Sequence, residues 1–116
     1  MIVTDTQHLL DEAHDCLLAS DGFQAHAYMK AASEQWIIAL CDKYAIAWQP
    51  LSGLQRIEAL AQHAPLKRRK VQFLFDWHCT SLLVTHRQTI HMKSLVRCLG
   101  KLEEYMRNDL RRPPCT

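Results

Sequence analysis

A chain of 116 residues with 48% apolar and 22% charged side chains has room for one domain around one core, and that composition excludes an extended disordered chain. Three glycines and four prolines leave few turns, so the elements must be few and long, which favours helices over many short strands. No apolar run reaches the roughly 18 to 20 residues that cross a bilayer, and the N-terminus lacks the cationic start and apolar centre of a secretory signal. A soluble, cytoplasmic protein without membrane contact is expected. The net charge of +2 is unevenly divided: residues 1–64 carry eight acids and three bases, residues 65–116 four acids and eleven bases. The halves can complement each other within one bundle or between protomers, or the second half can face an anionic partner. Five widely spaced cysteines (Cys16, Cys41, Cys79, Cys98, Cys115) with no Cys-x-x-Cys read as reduced thiols, four of them on buried helix faces.

In chain order, Thr4 or Thr6 is expected to cap a first helix with Leu9, Leu10, Ala13 and Leu17 facing inward. Ala19-Ser20-Asp21-Gly22 ends it, with Gly22 suited to a left-handed closing residue and Asp21 to capping the next helix, which gives a tight antiparallel hairpin. The stretch Phe23 to Ile46 reads as one long central helix, apolar around most of its circumference. Its stripe at steps of three and four is Ala27, Ala31, Glu34, Ile38, Cys41 and Ala45. Pro50 stops this pattern, and Ser52 with Gln55 forms a capping box for a short third helix whose Leu54, Ile57, Leu60 and Ala61 face inward.

After Pro65 the stripe Val71, Leu74, Phe75, His78 and Leu82 loses phase, and a new one starts with Met92, Leu95, Val96, Leu99, Leu102 and Met106. A break is therefore placed between Val84 and Thr89. The expected fold is all-α, a single-domain bundle of four to five helices over residues 1–110, with a loosely ordered tail at 111–116.

Candidate sites are sparse. None of the seven histidines forms the i, i+4 pair that two helical ligands to one zinc require, so no metal and no cofactor is expected. Glu34, on the apolar stripe, is expected to be at least partly buried and paired with a cation from the helices after Pro65, the alternatives being an exposed glutamate on a less buried helix or a site acid. Lys67, Arg68, Arg69 and Lys70 crowd the first turns of a helix, where the dipole disfavours cations. They are the candidate anion- or nucleic-acid-binding residues, although the interleaved aromatics of a single-strand binder are absent. A central helix with apolar residues on several sides predicts a dimer or a small protein partner. The seam is expected from Met92, Leu95, Val96 and Leu99 with Leu102, or from Trp36 and Trp48.

The pattern Leu9-Leu10, Ala13, Gly22-Phe23-x-x-His26-Ala27-Tyr28-x-x-Ala31-Ala32-x-Glu34-x-x-Ile37-x-Ala39-Leu40 resembles the start of HEPN domains, small all-α bundles of prokaryotic toxin–antitoxin and nucleotidyltransferase-linked systems. The resemblance covers residues 8 to 46 and implies a nucleotide- or RNA-binding alternative. Ribonuclease members of that family carry Arg followed, after roughly four to six residues, by His late in the chain. Here Arg87 and His91 have one residue too few between them, and Arg56 with His63 lies too early. The resemblance would cast Arg87 as support for a developing phosphorane and His91 as base or acid, but with the motif broken no ribonuclease activity is expected. The leading expectation is a non-catalytic helical binding or adaptor module, with binding of nucleotide or RNA as its alternative.

Overall fold

A computed structural model describes residues 2–110, with side chains described from 6 to 109. The tail from Arg111, with Cys115, lies outside the described residues. The chain forms five helices, α1 (Ile2–Leu18), α2 (Gly22–Lys43), α3 (Gly53–His63), α4 (Arg68–Arg87) and α5 (Met92–Leu110), in a single-domain all-α bundle. Among the described residues no helix is long and apolar enough to cross a membrane.

The α1–α2 hairpin closes through Ser20, not Gly22. Ser20 takes the left-handed conformation at φ 59°, with the Ser20 amide donating to the Leu17 carbonyl at 3.0 Å and the Asp21 amide to the Cys16 carbonyl at 2.8 Å. Asp21 then caps α2 by accepting from the Gln24 amide at 3.1 Å. Gly22 serves a different need: a Cβ there would lie 2.8 Å from both Ile90 Cγ2 and Met92 Sδ, so only glycine lets the α4–α5 connection come this close. The expected caps Thr4 and Thr6 are both inside α1. Thr6 is buried and donates instead to Gln35 Oε1 of α2 at 2.7 Å.

Helix α2 touches all four other helices, as its apolar circumference predicts. Its buried residues are Ala25, His26, Met29, Ala32, Ser33, Trp36, Ile37, Leu40 and Cys41, with the first-turn Gly22. The expected stripe through Ala27 and Glu34 is displaced by two residues, roughly 200° at 3.6 residues per turn. Glu34 is accordingly exposed rather than buried. The helix ends at Lys43, earlier than the expected Ile46, where Ala45 at φ 58° and the 2.8 Å bond from the Ile46 amide to the Cys41 carbonyl make a second left-handed closure.

Helix α3 starts on the expected capping box, with both reciprocal Ser52–Gln55 bonds formed at 2.9 and 3.2 Å. It buries Ile57 and Leu60, while Leu54 and Ala61 face solvent. α4 runs to Arg87 and stops at left-handed Gln88, so the break falls at 88–91, at the end of the expected window and beyond. Its core face is Phe73, Leu74, Trp77, Ser81 and Val84, whereas Leu82 is 41% exposed. α5 buries Leu95, Cys98, Leu99, Leu102 and Met106, but Val96 of the expected stripe is 56% exposed.

Polar residues bind the layers together inside the core. Ser33 Oγ accepts from Trp77 Nε1 at 2.9 Å and donates to the Lys30 carbonyl at 2.9 Å, and His26 Nε2 lies 2.8 Å from Ser81 Oγ. Burial, and secondarily the Lys30 ammonium, hold the His26 pKa below its ordinary value, so His26 is neutral at pH 7. At the opposite end Asp109 of α5 accepts from Trp36 Nε1 of α2 at 2.8 Å and from Lys70 Nζ of α4 at 2.8 and 2.9 Å. Three helices therefore meet on one carboxylate.

Candidate partner-binding groove

α5 packs against α1 and α2, whereas α4 packs against α3 and α2. The facing sides of α4 and α5 are left with a groove of about 550 Å³. On α4 the spacing 69, 72, 73, 76, 79, 80 puts Arg69, Gln72, Phe73, Asp76, Cys79 and Thr80 on one face, and on α5 Arg97, Cys98, Lys101 and Tyr105 do the same. The floor is apolar and aromatic, from Phe73 and Tyr105. The rim carries three cations, Arg69, Arg97 and Lys101, against one carboxylate, Asp76. None of these three cations forms an ion pair with another described residue.

The aromatic floor is already committed to the fold. The Tyr105 ring stacks on Trp36 with centroids 6.2 Å apart and 8° between planes, and Phe73 tilts against it at 5.6 Å. Lys70 Nζ sits 5.8 Å from the Tyr105 centroid on its way to Asp109. The groove therefore offers apolar edges and a basic rim, with its aromatic rings already engaged in contacts to the core.

The residues singled out in the sequence are distributed differently from expectation. Of the basic run, Lys67 is the exposed N-cap residue of α4 and Arg68 is exposed. Arg69 lines the groove, while Lys70 is taken up by Asp109 and is not available to an anion. Trp36, Leu95 and Leu99 were expected at an interface between chains, but they are 0%, 1% and 1% exposed and belong to the protein's own core. The apolar seam of α5, apart from the 56% exposed Val96, is covered by α1 and α2. Met92 is half-buried against Gly22. Trp48 is half-buried and pins the α2–α3 connection: its Nε1 donates to Asp42 at 2.7 Å, its carbonyl accepts from Arg56 Nε at 3.1 Å, and its ring lies 5.0 Å from the Arg56 guanidinium.

Arg87 and His91 flank the α4–α5 connection, both exposed, with no hydrogen bond between them. Glu34, with no cation partner among the described residues, stands at the mouth of a second cavity between α2, α3 and α4. Among the described residues no group of three or more His, Cys, Asp or Glu is placed to hold a metal ion. Cys16, Cys41, Cys79 and Cys98 are free thiols. Burial raises the pKa of Cys41 and Cys98, but Cys79, expected inside, is exposed on the groove and Cys16 is only half-buried. The sequence reading missed Arg97 and Lys101, although their i, i+4 spacing on the polar side of α5 was the available signal.

Compared with protein-family models, with curated proteins and with solved structures, the chain matches none.

Proposed function

We propose that the protein is a non-catalytic helical docking module whose α4–α5 groove receives an acidic, amphipathic helical segment of a protein partner. The observation that carries this reading is an apolar floor at Phe73 and Tyr105 under three cations without ion-pair partners. A helix laid in such a groove buries its apolar stripe on the floor and aligns its carboxylates with the rim. Rim charges of this kind speed association and select the partner, while the buried stripe supplies most of the affinity. RNA is the weaker occupant, because the Tyr105 ring is packed against Trp36 and Phe73 and the inward cation of the basic run, Lys70, is bound to Asp109.

The test is fluorescence anisotropy with two labelled probes: a short helix carrying Leu at i, i+4 and i+7 with Glu between, and a single-stranded homopolymeric RNA. The reading predicts that the acidic helix binds, that binding weakens with salt, and that Arg97→Glu with Lys101→Glu abolishes it without changing the melting curve. Tighter, salt-dependent binding of the RNA with none of the helix would replace this reading by a nucleic-acid one.

A further inference from the structure

The second cavity, about 250 Å³ between α2, α3 and α4, is built differently from the groove. Its floor is apolar, from Ile37, Ile57 and Trp77, all buried. Ser81 opens onto it from a fixed position, its Oγ held 2.8 Å from His26 Nε2, and a hydroxyl so engaged keeps a further hydrogen-bonding direction. At the mouth stand Lys30 and Glu34, one helical turn apart on the same face of α2. They do not pair with each other, and neither forms an ion pair with any other described residue. The order Lys then Glu at i, i+4 is the less favourable one on a helix, so the pair has little intrinsic tendency to close on itself.

His78 and His86 also line the cavity from α4, and with Lys30 and Glu34 side by side over an apolar floor it discriminates by charge pattern. A phosphate or a lone carboxylate meets Glu34, a simple amine meets Lys30, and a neutral ligand leaves both without a partner. A ligand carrying both charges next to each other with an apolar substituent satisfies all three features. We infer that the α2–α3–α4 cavity binds a free amino acid with an apolar side chain, its carboxylate on Lys30, its ammonium on Glu34 and its side chain over Ile37, Ile57 and Trp77. Ser81 then supplies one oriented hydrogen bond to the polar end. The site is separate from the α4–α5 groove and does not depend on what that groove binds.

The test uses L-leucine, with N-acetyl-L-leucine and L-leucine methyl ester as analogues lacking the ammonium and carboxylate charge respectively, in isothermal titration against the full chain. L-Leucine is expected to bind, each analogue to bind at least about tenfold more weakly, and Lys30→Gln and Glu34→Gln each to weaken L-leucine by a similar factor, the scale of one lost charge-assisted contact. Both residues are exposed, so the variants should melt with the wild type, and the two analogues probe the same contacts on the unaltered protein. No heat with L-leucine at tens of millimolar, equal binding of either analogue, or unchanged affinity in either variant would overturn the assignment.

Discussion

Replacing Asp109 by alanine should destabilise the bundle far more than a change near the end of a terminal helix ordinarily would. The carboxylate accepts from Trp36 Nε1 at 2.8 Å and from Lys70 Nζ at 2.8 and 2.9 Å, with only 13% of its side chain exposed. Trp36 is 0% exposed, so in Asp109→Ala its indole N–H loses its acceptor where water has poor access, at a cost of about 1 to 3 kcal/mol. Lys70 is 15% exposed and can turn partly toward solvent, so the lost ion pair adds about 1 kcal/mol and not the larger penalty of a fully buried pair. The sum, about 2 to 4 kcal/mol, is a large share of the roughly 5 to 15 kcal/mol of a typical domain. Asp109→Asn keeps an acceptor for the indole and loses only the charge, so it should cost about 1 kcal/mol. Urea unfolding followed by tryptophan fluorescence measures both, and Lys70→Met combined with Asp109→Ala should cost less than the two changes added. An Asp109→Ala protein within about 0.5 kcal/mol of wild type would refute the reasoning, because it would mean that the three-helix junction contributes nothing.

Gly22 and Gly100 should respond to alanine in opposite directions, as thermal melts will read: Gly22→Ala loses about 1 to 2 kcal/mol by driving a methyl into Ile90 and Met92, whereas Gly100→Ala, with no atom within 4 Å of its would-be Cβ, gains up to about 1 kcal/mol. Ala45→Gly, which relieves an alanine held at φ 58°, should raise the urea midpoint by the equivalent of about 1 kcal/mol. Because burial and Lys30 pull the folded-state pKa of His26 below 6.5, the unfolded chain takes up that proton first as pH falls. This contribution to stability is therefore complete above pH 6.5 and is lost below it, down to the lowered folded-state pKa. Urea midpoints should fall between pH 7 and about 5.5, and His26→Gln should flatten that slope.

How much the sequence disclosed depended on whether the deciding contact was local. The Ser52–Gln55 box and the α1–α2 hairpin are made by residues within one turn of each other, and both were readable. The core face of α5 was readable because a polar face opposes it, with Val96 the exception. The solvent face of α2 mixes Lys30 and Glu34 with Phe23 and Ala27 and so orients the helix only weakly; its centrality was evident while its buried side was not, and Glu34 was placed inside on the strength of a stripe that points outward. The partners that hold the layers together lie far apart in the chain: Trp36 and Asp109 are 73 residues apart, His26 and Ser81 are 55, and Lys70 and Asp109 are 39. No periodicity encodes such pairs. The groove was hidden for the same reason, since Arg69 and Arg97 become neighbours only once α4 has packed on α3 and α5 on α1.

The measurement that bears most directly on the docking groove is an amide chemical-shift titration of the labelled protein with the acidic Leu/Glu helix. Perturbations should concentrate on the facing sides of α4 and α5, from Arg69 to Thr80 and from Arg97 to Tyr105, and should vanish when Arg97 and Lys101 are both changed to Glu. Shifts centred instead on α1, or on the cavity between α2, α3 and α4, would contradict the account, as would shifts that survive the double charge reversal.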